Sequence, residues 1–210
     1  MRKIILYGAK GLGKELLNNI DSDFEHCEVV FFDGISTSDD KFIADNYKII
    51  KDKRTLIQQN NTPIIVAVGG SENRRKIHNE LTSCGFQVCG YVAKDAKVGK
   101  LDNVISPTTT ILSGTNITMS VVIGVGVLIN KNVTISHDVR IGDFCEVSPG
   151  ATILGRASIG AGSEVGAGAI ILPNVTVGCN CKIGAGSVVT KDVENNTVVA
   201  GVPARTIRKL

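Results

Sequence analysis

The chain holds three histidines, His26, His78 and His137. His137 is followed by Asp138 in the run Ser136-His137-Asp138. An imidazole ionises near neutral pH, so it suits the removal of a proton from an attacking hydroxyl or amine. A carboxylate at its other ring nitrogen would fix the tautomer and stabilise the imidazolium. Neighbouring side chains on a regular strand point to opposite faces, so the two can cooperate only if the backbone turns there. Position alone favours reading His137 as an exposed corner residue, and Asp138 could be an ordinary turn residue. His78 falls mid-helix between Lys76 and Glu80 and is expected on a solvated face; His26 precedes a strand and has no motif around it.

A second set of residues could hold a phosphate. The apolar run Lys3 to Tyr7 ends in Gly8-Ala9-Lys10-Gly11-Leu12-Gly13. This departs from G-x-G-x-x-G, so a dinucleotide site is not indicated. A strand, glycine loop and helix can still aim backbone N–H groups at a phosphate. Asp33 ends the second strand and could hydrogen-bond a base or ribose. Gly69 ends the third strand at the same sheet edge, where open parallel sheets bind ligands. Each of these glycines could equally serve turn geometry alone.

The six cysteines form no CxxC pair and are expected as free, mostly buried thiols. Cys179 and Cys181 would supply only two of the roughly four ligands of a zinc site, so no metal is expected.

The elements that must position these groups follow two grammars. Residues 1–92 alternate strands and helices: strands at Lys3 to Tyr7, Glu28 to Phe32, near Tyr47 to Ile50, Pro63 to Val68 and Gln87 to Val92, and helices over Lys14 to Ile20 and from a capping Ser71 to Ser83. This predicts a small parallel, Rossmann-like α/β unit. Residues 93–210 obey one rule. Aliphatic residues recur every six positions from Ile105 through Ile135 and Ile141 to Val189, fifteen times without a slip. Four residues after most of these sits another small or branched residue, such as Val139, Cys145, Ala151 or Ser163. Neither a strand nor a helix period gives this; a hexapeptide repeat does, and it marks a parallel β-helix. Residues eighteen apart should stack, and residues 105–194 should build five coils. Around His137, Gly155 and Pro173 then stand one and two coils along, while Pro149, Ala167 and Ala185 form the next file of small residues.

Composition agrees and excludes other classes. Aromatics are 4% with no Trp, Gly numbers 23, and hydrophobic residues are 43% of 210. Aliphatics must therefore fill the core, and tight turns must use the glycine. A net charge of +3 gives no footprint for nucleic acid, and no apolar run approaches a membrane span. The first residues read as a strand, so a cytoplasmic protein is expected.

The hexapeptide array with Ser136-His137-Asp138, Ile141-Gly142-Asp143-Phe144, Val147-Ser148-Pro149-Gly150-Ala151 and Ala200-Gly201-Val202-Pro203-Ala204-Arg205 resembles the hexapeptide acyltransferases. The glycine loop and Val68-Gly69-Gly70-Ser71-Glu72-Asn73-Arg74-Arg75 narrow this to the family of sialic acid O-acetyltransferases and nucleotide-sugar 4-amino N-acetyltransferases. The resemblance covers essentially the whole chain. It implies a left-handed β-helix, a homotrimer with sites between neighbouring subunits, and acetyl-CoA as co-substrate. It implies His137 as general base with Asp138 behind it, and Glu146, Gly155, Ala167 and Ala185 along acetyl-CoA. A nucleotide sugar would be held by Gly8, Lys10, Gly11, Leu12, Asp33 and Gly69. The chain departs from the family at two places. Leu12 stands where many amino-sugar members carry a His, and Glu146 where several carry a second His; Glu146 could instead face an acceptor ammonium group or be a surface charge. The leading expectation is N-acetylation of a nucleotide-linked 4-amino-4,6-dideoxy sugar for surface glycan synthesis, with sugar O-acetylation as the alternative. A γ-type carbonic anhydrase needs three zinc-binding His, and residues 105–190 contain one. A purely architectural β-helix would not call for the His137–Asp138 pair.

Overall fold

The computed structural model describes all residues except 1, 24–26, 35–40, 44, 45 and 60, so His26 lies outside the described residues. Contacts divide the chain into two units, Met1–Gly69 with Asn73–Gly90, and Tyr91–Leu210 with Gly70–Glu72.

In the first unit β1 (Arg2–Tyr7) pairs in parallel with β2 (Cys27–Phe32) on one side and β5 (Ile64–Val66) on the other. Strand β4 (Tyr47–Ile50) extends the sheet beyond β2, and β6 (Val88–Cys89) extends it beyond β5. The short β3 (Phe42–Ile43) closes one edge antiparallel to β4. The strand order β3-β4-β2-β1-β5-β6 reverses direction at β1. The loops leaving β1 and β5 therefore part and open a crevice at the carboxyl ends of the strands. Ile5, Leu6, Phe31, Phe32, Ile64 and Ile65 are fully buried, as central parallel strands require.

Helix α1 (Gly11–Asp23) turns Gly13, Leu16, Leu17 and Ile20 inward. Helix α3 (Ser71–Ser83) buries Arg74, Ile77, His78 and Leu81, spaced three, four and seven apart on one face. His78 is thus a buried residue and not the solvated one expected; it follows Ile77 on the inner stripe. A further helix, α2 (Lys53–Ile57), occupies the polar stretch where none was expected, its first amides bonded to the Asp52 carboxylate. Ser71 is the first helical residue of α3 and not its cap. Its amide and hydroxyl both donate to Glu164 Oε1 at 3.1 Å.

The second unit is a left-handed parallel β-helix of two-residue strands in three sheets of eight, six and five strands. Partners are eighteen residues apart, as Asn116, Thr134 and Thr152 show in one sheet and Glu146, Glu164 and Lys182 in another. Both files of the repeat point inward: Ile135, Ile153 and Ile171 are 0% exposed, and so are Val139, Cys145 and Ser163. The interior hydroxyls are spent on backbone; Ser163 Oγ donates to the Gly178 carbonyl at 2.7 Å and accepts from the Cys181 amide at 2.9 Å.

The first β-helix strand precedes the expected repeats, which start at Ile105, by a coil. Tyr91–Val92 pairs with Thr110–Ile111, so the last strand of the α/β unit stops at Cys89 and does not reach Val92. The first coil is out of phase because Val98 and Ile105 are seven residues apart. The far end ends in an antiparallel hairpin, Thr197–Gly201 with Ala204–Lys209. The thiols are less buried than expected. Cys145 and Cys181 are buried, Cys27 and Cys89 half-buried, and Cys84 and Cys179 exposed.

Candidate active site

Three faces make three corners, and most of the corners turn on a residue with left-handed φ. Thirteen successive corners, from Gly114 to Gly186 at intervals of six, hold such a residue. Asp138 is one of them, with φ 62°. Short polar residues tolerate this conformation. It breaks strand alternation, and so the Asp138 carboxylate folds back onto its neighbour: His137 Nδ1 and Asp138 Oδ2 are 2.7 Å apart. Both side chains are about half exposed, at 47% and 52%. With Nδ1–H donating to the carboxylate, Nε2 keeps its lone pair and could accept a proton. The turn that the sequence reading required is present.

Gly155 stands one coil along, as the stacking rule places it. The Arg156 amide bonds the His137 carbonyl at 3.0 Å, and Gly155 itself lies under the imidazole. A Cβ there would sit 2.7 Å from both Cε1 and Nε2 of His137. The glycine is therefore what lets the ring lie against the coil.

Ala167 and Ala185 are exposed and stack with Pro149 as expected, but on another corner. His137 and Gly155 turn from the six-stranded sheet into the five-stranded one, whereas Ala167 and Ala185 turn from the eight-stranded sheet into the six-stranded one. Glu146 lies on the eight-stranded face, which the His137 corner does not border. Its Oε2 accepts the Gly70 amide at 2.7 Å. Its neighbour along the sheet, Glu164, takes Ser71 and lies 3.4 Å from Lys182 Nζ. Burial works to raise the Glu164 pKa, but the Ser71 donors and the Lys182 charge outweigh it and hold the carboxyl below its ordinary value. No sequence signal could have marked these bonds, which join residues 76 and 93 positions apart.

In the α/β unit the expected ligand residues converge. Gly8, Lys10, Gly11 and Leu12 after β1, Asp33 after β2 and Gly69 after β5 all line one cavity of about 290 Å³, together with Ala9, Ala67 and Val68. Gly8 has φ 122°, and a Cβ on it would meet the Ala67 carbonyl at 2.5 Å; one on Gly13 would meet the Gly8 carbonyl at 2.0 Å. Those two glycines set the loop, while Gly11 has open space where a Cβ would go. Asp33 lies 3.6 Å from Lys51 Nζ, a partner the sequence reading missed. A larger cavity of about 520 Å³ opens at the other end of the same sheet, beside Lys3, Cys27 and Cys89, and contains none of the expected residues. Burial pushes the Cys89 thiol up to about 11. No cluster of three or more His, Cys, Asp or Glu that could hold a metal occurs among the described residues. No described helix is long and apolar enough to cross a membrane.

Both units of the chain match known domain families, and the β-helix matches a transferase repeat. Residues 120–155 and 156–191 match the bacterial transferase hexapeptide (six repeats). Residues 3–81 match the PglD N-terminal domain, so the chain combines that domain with the transferase repeat. Among solved structures, it is similar to the acetyltransferase domain of PglB from Neisseria gonorrhoeae in complex with acetyl coenzyme A. The identity is 28%, the match covers 98% of this chain and 99% of that one, and the TM-score is 0.89. WeeI from Acinetobacter baumannii matches at 25% identity over 99% of this chain and 100% of that one, with TM-score 0.89. A variant of perosamine N-acetyltransferase from Caulobacter crescentus, in complex with CoA and GDP-perosamine, shares the fold at 23% identity, covering 99% and 97%, with TM-score 0.87.

Proposed function

We propose that the chain is an acetyl-CoA-dependent N-acetyltransferase acting on the 4-amino group of a nucleotide-linked 4-amino-4,6-dideoxy sugar, serving surface glycan synthesis in the cytoplasm. The observation that carries this reading is the 2.7 Å bond between His137 Nδ1 and Asp138 Oδ2 at an open corner of a transferase β-helix. The neutral amine attacks the thioester carbonyl carbon while His137 Nε2 takes its proton. The tetrahedral intermediate then collapses, the C–S bond breaks, and the departing thiolate takes the proton from His137. The products are the amide and CoA. Asp138 stays ionised throughout and offsets the imidazolium charge.

The chain acts as a homotrimer. The reason is the placement of Ala167 and Ala185 on a different corner from His137 and Gly155. One thin pantetheine arm can pass both sets only if a second copy brings its Pro149, Ala167 and Ala185 file to the His137 corner, and a ring of such contacts closes by threefold symmetry. The nucleotide end of the acceptor occupies the cavity of about 290 Å³ in the α/β unit, where the Gly8–Gly13 loop and the start of α1 offer backbone N–H groups to phosphate.

Thiol release from acetyl-CoA tests this against UDP-, dTDP- and GDP-linked 4-amino sugars and free sialic acid. Amide product with one of the nucleotide sugars supports the reading. Ester product with sialic acid, and no amide, overturns it in favour of O-acetylation.

A further inference from the structure

Of the thirteen left-handed corners, six hold Gly, three Asn, and one each Ser and Asp; the other two hold Phe144 and Arg156. A left-handed backbone costs a bulky residue about 1 kcal/mol or more, which Gly or Asn would not incur. Phe144 has a structural reason. It is 9% exposed, and its ring covers Gly126, where a Cβ would approach it to 2.5 Å. Arg156 has no such reason, because it is exposed. Yet it is held: its Nε donates to Asn174 Oδ1 at 2.7 Å, one coil further along. That bond fixes the guanidinium and leaves its terminal nitrogens to bind something else. Its place is next to Gly155, directly one coil from Asp138, with the same φ of 62°.

We infer that Arg156 is an acceptor-binding residue that holds the phosphate attached to the anomeric carbon of the sugar. This rests on the proposed amino-sugar reading. A guanidinium fork matches a phosphate oxygen pair. Of the two substrates, only the acceptor carries an anion that close to the reacting centre. The diphosphate on C1 is one pyranose ring away from the C4 amine, whereas the phosphates of CoA lie a full, uncharged pantetheine arm from the thioester. The strained corner is thus retained for binding.

The test is steady-state kinetics and melting of Arg156→Asn and Arg156→Gly, both of which suit the left-handed corner. The substrates are the UDP-, dTDP- and GDP-linked 4-amino-4,6-dideoxy sugars and the methyl glycoside of the same amino sugar. We expect the thermal midpoint to stay or rise and KM for the nucleotide sugar to rise about ten- to a hundredfold, the size of one charge-assisted hydrogen bond. KM for acetyl-CoA should be unchanged, and the slow turnover of the methyl glycoside should be insensitive to the substitution. A rise in KM for acetyl-CoA instead overturns the inference, as does an unchanged KM for both substrates or a fall in melting temperature in both variants. If wild type turns over the nucleotide sugar and the variants match it, this inference alone falls. If wild type acetylates no nucleotide-linked amino sugar, the proposed function falls with it.

Discussion

His137 and Asp138 work as a pair because one residue of the corner has a left-handed backbone. Replacing His137 by Ala removes the proposed base without touching the interior, since the side chain is 47% exposed. The expected result is an intact fold and a kcat lowered roughly 10²- to 10⁴-fold; near wild-type turnover would remove His137 from the mechanism. Asp138→Asn keeps a residue tolerant of the corner and should lose less, because on the proposed mechanism Asp138 orients the base and moves no proton. Gly155→Ala probes the ring's seat. Its Cβ would sit 2.7 Å from the imidazole, and a side-chain tip yields more readily than backbone. Melting should change little while kcat falls up to about a hundredfold, the cost of a reacting group displaced by an ångström. A kcat equal to wild type would show that the ring position is not critical. At this scale Gly155 was legible, since a stacking period of eighteen predicts neighbours from the sequence, and Asp138 was marked by its adjacency to His137. The bond of Glu146 to Gly70 was not, because nothing local links them. The burial of His78 was legible in principle, as it lies four residues after Arg74 on the stripe that also holds Ile77 and Leu81.

At the scale of elements, the glycine loop separates shape from binding. Gly13→Ala drives a Cβ into the Gly8 carbonyl at 2.0 Å, a backbone atom that cannot swing away. We expect a loss of about 1–3 kcal/mol in urea unfolding of the α/β unit, whereas Gly11→Ala, with open space, should leave stability unchanged or raised. Equal losses would show that Gly11 is also needed for the loop's shape. The start of α3 has a pH signature. Because the Glu164 pKa is held below its ordinary value, its contribution to stability is present above the unfolded pKa and is lost as pH falls through the folded one. A gap in melting temperature between wild type and Glu164→Gln should therefore exist at neutral pH and close in acid; a gap that persists at the lowest pH would mean the carboxylate charge is not what holds Ser71. The elements themselves were legible where a period ran unbroken. The first coil escaped because seven residues separate Val98 from Ile105, which shifts the phase by one. Helix α2 escaped because a five-residue helix held by an Asp52 cap shows no amphipathic repeat.

At the scale of the whole molecule, the two units have separate cores. The β-helix has its own core, running from Ile111 to Val199 through both inward files, and that core includes no residue of the α/β sheet. The α/β unit has a separate core around Ile5, Phe32 and Ile64. Each should keep its own ligand when the other is removed. The cut must fall at Gly90, not after residue 92, because Tyr91–Val92 forms the first rung of the eight-stranded sheet. A chain of residues 91–210 should therefore sediment as three copies and bind acetyl-CoA with near wild-type affinity, since His137, Gly155, Ala167 and Ala185 all remain. Its affinity for the nucleotide sugar should fall by about a hundredfold or more, because the Gly8–Gly13 amides, Asp33 and Gly69 go with the removed unit and a phosphate at a helix start is a substantial share of such binding. Calorimetry with the two ligands in turn reads both halves of the expectation. Loss of acetyl-CoA binding in a folded, trimeric fragment would show that the α/β unit shapes the pantetheine groove. Unchanged nucleotide-sugar affinity would show that the β-helix binds the acceptor unaided, and the crevice at the carboxyl ends of β1, β2 and β5 would then need another ligand.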